Sequence, residues 1–129
     1  MKPRFLIIVL CIICFAKLSS CYNNHYESDG NMSISVKESD DTYMFTAKFD
    51  KVKTRRVQNY IADVTNNSLF DKGKIDIDAT TTMDDDTRFY IRAYPGRIKI
   101  QFDKDENSQA AYERIKDMCE GIKDILRDQ

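Results

Sequence analysis

Only one histidine, His25, occurs in the 129 residues, and it stands close to the amino-terminal end of the polar part of the chain. Chemistries that need an imidazole beside a serine or cysteine nucleophile therefore find none in the expected fold. No apolar run reaches the roughly 20 residues that a bilayer-spanning helix requires; the longest covers residues 5–16. Charge of one sign is missing too. Lys and Arg number 20 against 21 Asp and Glu, a formal net charge of −1, which argues against a general nucleic-acid binder. Of four cysteines, Cys11 and Cys14 sit inside the apolar run, leaving Cys21 and Cys119 outside it.

The amino terminus reads as an address. Lys2 and Arg4 precede the apolar stretch "FLIIVLCIICFA", whose residues are continuous rather than striped as in a core helix. Residues 1–20 are thus expected to be a secretion signal. They hold Lys2, Arg4 and Lys17 and no acid, so the remainder carries 17 cations against 21 acids, a net charge of −4. Residues 21–31 are polar and turn-forming and predict a flexible tether, with one α+β domain over 32–129. A length near 100 residues can bury a usable single core.

The four residues Leu18-Ser19-Ser20-Cys21 resemble the lipobox of bacterial lipoproteins. The resemblance implies that the Cys21 thiol carries diacylglycerol, that cleavage falls before it and that the new amino group is acylated. It also implies an outer-membrane address where a cell has two membranes, because Tyr22 is not the Asp that favours inner-membrane retention. The carboxyl-terminal stretch "FYIRAYPGRIKIQFDKDENSQAAYERIKDMCEGIKDIL" is similar to small uncharacterised lipoproteins of Bacteroidota, which implies no function. One alternative stays open: ordinary cleavage nearby, a secreted product and a Cys21–Cys119 disulfide. The triplets at Asn31 and Asn66 would then be glycosylation acceptors.

From Met32 the apolar period is two. Met32, Ile34 and Val36 alternate with polar residues, "ESDD" turns the chain, and Tyr43, Phe45, Ala47 and Phe49 alternate again, predicting a hairpin with Val36 opposite Tyr43. Val52, Val57, Tyr60, Ile61 and Val64 then form a helical stripe, capped by Asp50 or Thr54 and ended by "TNNS". Period two returns in Ile75 to Met83, in Phe89, Ile91 and Ala93, and in Ile98, Ile100 and Phe102. A turn at Pro95-Gly96 pairs Ala93 with Ile98 and Ile91 with Ile100, while one around "DDD" pairs Thr81 with Phe89 and Ala79 with Ile91. Ala111, Ile115, Met118, Cys119, Ile122, Ile125 and Leu126 stripe a final helix capped by Asn107 or Ser108, in which Gly121 suggests close packing. The expected fold is an α+β two-layer sandwich in the order ββαβββα, a mainly antiparallel five-stranded sheet with both helices on one face. No internal repeat is legible.

Alternation sends Arg88, Tyr90, Arg92 and Tyr94 outward from one strand and Arg97, Lys99 and Gln101 from the next. Arg and Tyr are favoured at binding hot spots, so this face is the candidate binding surface, for an acidic protein, an anionic glycan or a lipid headgroup. The plainer reading is a solvated sheet face that Asp76 and Asp78 partly neutralise beside Arg92. Cys119 reads as a small core residue; His25, Glu27 and Asp29 as polar tether; Asp84, Asp85 and Asp86 as a charged hairpin tip without the pattern of a calcium loop. The expected function is a non-enzymatic, lipid-anchored envelope module that binds another protein, one form being an inhibitor or immunity protein. The alternative is a carrier or sensor of a small apolar ligand held between helices and sheet. No catalytic residue, metal, cofactor or nucleic-acid partner is expected.

Overall fold

The computed structural model describes residues 23–66, 70 and 76–128. Six strands make one antiparallel sheet: β1 (Asn23–Asp29), β2 (Met32–Glu38), β3 (Thr42–Lys48), β4 (Ile77–Thr82), β5 (Arg88–Tyr94) and β6 (Arg97–Asp103). They lie in the order β1-β2-β3-β6-β5-β4. Helices α1 (Thr54–Thr65) and α2 (Gln109–Arg127) pack on one face. The α+β two-layer architecture is as expected from alternation, since β2 to β6 each have one apolar face to cover.

The strand count differs. The span expected as a tether over 21–31 supplies β1, whose backbone runs beside β2 from Asn23↔Glu38 to Asp29↔Met32. An edge strand is held by main-chain hydrogen bonds and can be polar throughout, so it leaves no period-two apolar signal. With β1 included, the element order is βββα twice, and the two halves meet at the central β3/β6 pair.

Registers β4/β5 and β5/β6 are those expected: Thr81↔Phe89, Ala79↔Ile91, Ile91↔Ile100 and Ala93↔Ile98. The β2/β3 hairpin is tighter by two residues than expected. Val36 faces Phe45 and Ile34 faces Ala47, because Ser39 N–H bonds the Thr42 carbonyl (2.9 Å) and closes the turn on Asp40 and Asp41. A shift of two preserves which face each side chain takes, so the core is unaltered.

That core joins the inner strand residues Ile34, Phe45, Ile91, Ile100 and Phe102 to Val57 and Ile61 of α1 and to Ile115, Met118 and Ile122 of α2, all fully or almost fully buried. Val52, expected on the stripe of α1, is instead 80% exposed. A 3-10 turn, Lys51–Lys53, precedes α1, and its different period points Val52 to solvent. Asp50 caps this turn by accepting from Val52 N–H (3.1 Å), while Ser108 caps α2 by accepting from Ala111 N–H (3.1 Å). Asn107 has another task. Its amide bonds both the N–H and the carbonyl of Arg88 (2.8 and 3.0 Å), replacing a strand partner where β6 has ended.

The helices are tied at both ends. Lys53 Nζ donates to the carbonyls of Leu126 (2.8 Å) and Asp128 (2.7 Å), satisfying the open end of α2. Arg114 donates to the Val64 carbonyl at the end of α1 (3.1 Å) and pairs with Asp85 (2.7 Å). That guanidinium, with Thr87, holds the Asp85 carboxyl down to about 2. Between the helices, a β-carbon on Gly121 would lie 1.9 Å from the Tyr60 hydroxyl oxygen and 2.3 Å from the ring carbon that bears it. Gly121→Ala is therefore expected to destabilise the wild type by roughly 1–3 kcal/mol through overpacking. With Tyr60→Ala the same change becomes stabilising by about 1 kcal/mol, the helix propensity alone. Urea titration of the four proteins in this double-mutant cycle checks it: the sign of the Gly121 effect must invert.

The two ends of the sheet differ in charge. Where β1 enters, residues 38–41, 84–86 and 103–106 carry nine carboxylates and one lysine. At the other end, about 20 Å along the strands, residues 48–56 and 94–97 carry six cations and one carboxylate, with Asp76 and Asp128 nearby.

Candidate functional site

The predicted residues fall on the sheet face that neither of the described helices covers. Along β5 and β6 burial alternates strictly, with Phe89, Ile91, Ala93, Ile98, Ile100 and Phe102 inward and Arg88, Arg92 and Arg97 exposed. Register then decides which outer residues meet. Arg92 stands opposite Lys99, and Tyr94 opposite Arg97. The guanidinium carbons of Arg92 and Arg97 lie 5.6 and 6.0 Å from the centre of the Tyr94 ring. Tyr94 is thus engaged by two cations, a favourable contact that also fixes both guanidiniums.

Four of the six predicted residues, Arg92, Tyr94, Arg97 and Lys99, share one patch. The other two do not. Arg88 pairs with Thr82 at the opposite, acidic end of β5. Tyr90 donates its hydroxyl to Asp78 Oδ1 (2.6 Å), which raises its pKa by stabilising the protonated form. Asp78 faces Arg92 across β4 and β5, as expected of a neutralising neighbour, but this oxygen is already taken by Tyr90.

A residue outside the sequence-based set belongs to the patch. Lys48 on β3 is directly opposite Arg97 on β6. Its outward direction follows from alternation in β3, but that β3 lies beside β6 is not written in either strand. Among the described residues, Arg92, Arg97, Lys99 and Lys48 form no ion pair. Two cross-strand pairs, Arg92↔Lys99 and Lys48↔Arg97, therefore set like charges against each other, an arrangement that costs stability. A shallow groove of ≈ 720 Å³ opens beside them, lined by Lys51, Ile77, Asp78, Arg92, Tyr94 and Arg97 among others.

Other candidate chemistry is structural here. Cys119 is a free thiol with 0% exposure, and burial pushes its pKa up to about 12, far from a nucleophile's range. The bridge weighed between Cys21 and Cys119 is absent at Cys119; Cys21, the expected lipid-bearing residue, lies outside the described residues. Among the described residues, no group of three or more His, Cys, Asp or Glu is placed to hold a metal ion. No described helix is long and apolar enough to cross a membrane. Glu38 forms a local network on the acidic end: it accepts from the Tyr112 hydroxyl and from Lys104 Nζ (2.9 Å). Burial alone raises its pKa, but these two donors outweigh burial and hold it below the ordinary value. The Tyr112 hydroxyl moves the other way, up to about 12, through burial and the bond to Glu38.

Between helices and sheet, where the alternative reading places a small apolar ligand, Phe45, Phe102, Ile115, Met118 and Ile122 are each 0% exposed. Compared with protein-family models, with curated proteins and with solved structures, the chain finds no match.

Proposed function

We propose that this chain is a lipid-anchored, non-enzymatic binding module of the cell envelope, which engages another protein through the open sheet face around Tyr94. The observation that carries the reading is the Arg92–Tyr94–Arg97 cluster, an aromatic ring held by two guanidiniums on an exposed surface. Arg and Tyr are the side chains on which interface affinity tends to concentrate. The lipobox-like Leu18-Ser19-Ser20-Cys21 supports the anchor, and Tyr22 supports an outer-membrane address. An inhibitor or immunity protein is one form this module takes under the proposal.

Affinity capture from solubilised envelope tests the surface. Wild type should retain a protein partner, and the double change Arg92→Ala, Tyr94→Ala should lose it while stability moves by about 0.5 kcal/mol or less, as for most surface substitutions. Undiminished capture by the double variant would count against the face. Feeding cells a radiolabelled fatty acid tests the anchor separately: label should enter wild type and be absent from Cys21→Ala.

A further inference from the structure

The four cations of the patch are strung out rather than gathered. Register places Arg92 on β5, Lys99 and Arg97 on β6, and Lys48 on β3, a diagonal stripe across three strands. Steps of about 5 Å between strands and about 7 Å along β6 give it a length near 12 Å. A single phosphate requires donors that converge on one point, which this layout does not provide. The charge is also local, because the chain as a whole is net negative.

We infer that the stripe is a docking track for an acidic, extended segment of the partner protein, one with carboxylates on alternate residues. This rests on the reading above that the open face is the binding surface. Charge complementarity selects the occupant. The spacing agrees with it, since alternate side chains of an extended strand project on one side every ~6.8 Å, the same step that separates Arg97 from Lys99. Each carboxylate then faces one like-charged pair, Arg92 with Lys99 or Arg97 with Lys48, and relieves its repulsion. Single-stranded nucleic acid has a comparable charge spacing but gains its affinity by stacking bases on open aromatic faces. Tyr94 is already engaged by Arg92 and Arg97.

The like-charged pairs make the inference testable in two directions at once. Lys48→Gln removes one repulsion and should raise the melting temperature of the full chain by about 2 °C. It should also weaken binding of a fluorescent alternating Glu-Thr peptide of about ten residues, measured by anisotropy. Lys48→Gln with Lys99→Gln should weaken it about tenfold, two partly exposed charges' worth, and raising salt from about 0.05 to about 0.5 M should abolish it. A merely structural role for these lysines predicts that stability and binding fall together. The inference is overturned if the Gln-Thr peptide binds as well as the Glu-Thr peptide, if oligo-dT of equal length binds as tightly, or if the lysine variants bind the Glu-Thr peptide undiminished. Capture of a partner that needs Arg92 and Tyr94, but ignores both salt and the lysine changes, overturns the acidic segment while leaving the surface intact. Capture indifferent to Arg92 and Tyr94 removes the surface itself.

Discussion

Phe45→Ala is expected to destabilise the domain by about 3–5 kcal/mol, a large share of what a chain of this size possesses. Phe45 has 0% exposure and sits on β3 between Val36 of β2 and Ile100 of β6, where the two βββα halves meet. Truncation removes apolar area from the centre of the core, and the cavity cannot collapse, because cross-strand neighbours are fixed by their ladders and the helices are tied at both ends. Phe45→Leu keeps most of the volume and should cost less than about 2 kcal/mol. Chemical denaturation followed by circular dichroism checks the pair: a midpoint for Phe45→Ala within about 1 kcal/mol of wild type would mean that the centre of the sheet is not packed by this ring.

The second large effect is expected at the tip of the β5/β6 hairpin. Gly96→Ala should cost about 2–3 kcal/mol, from two separate sources. Gly96 has φ +78°, where an alanine loses about 1–2 kcal/mol. Its added β-carbon would also come to 2.9 Å from the Phe49 carbonyl oxygen, in a region of backbone that has no room to give. The Gly96 N–H donates to Thr54 Oγ1 (2.9 Å) and its carbonyl accepts from Phe49 N–H (2.9 Å), so the tip is sewn to the start of α1. Thr54→Val leaves the buried Gly96 N–H without its acceptor and should cost about 1–3 kcal/mol by itself. In the Gly96→Ala protein that cost should shrink, since the bond is already disturbed. Full additivity of the two changes would show that hairpin and helix are not coupled.

Much of this architecture was legible because alternation speaks directly to burial. Strands β5 and β6 could be paired from the sequence, as a one-residue slip buries Arg92 or Lys99 and the tight turn at Pro95-Gly96 sets the rest, and they pair that way. The β2/β3 turn misled by two residues because Ser39, Asp40, Asp41 and Thr42 are all good turn formers, and a slip of two leaves every side chain on its proper face. Strand β1 was missed for a deeper reason: its place in the sheet is made by main-chain bonds, to which side-chain periodicity is blind. Val52 looked helical because the 3-10 turn that displaces it leaves no mark in apolar spacing. Lys123, a charged residue between the apolar positions Ile122 and Ile125 of α2, is buried at 7% exposure with its amine bonded to Glu120 (2.8 Å). A long aliphatic stem can cover apolar surface while its head stays partnered, so charge alone misplaces such a residue.

The candidate site was half legible for the same reasons. Local alternation pointed Arg92, Tyr94, Arg97 and Lys99 outward together. Lys48 belongs with them only because β3 and β6 are neighbours, a long-range fact that no short window of residues contains. Conversely Arg88 and Tyr90 share the alternation and not the patch, since they stand toward the acidic end of their strand.

Opposite charges collected at the two ends of a rigid sheet give the molecule a permanent dipole along its strands. Chain entry at β1 coincides with the negative pole. If acyl groups on Cys21 plant the chain in a bilayer with anionic headgroups, that pole is the one held nearest the lipid, and within about one screening length it is pushed away. The far, positive pole is drawn toward the same headgroups, so the anchored body is expected to lean its Tyr94 end toward the bilayer, and added salt should release it.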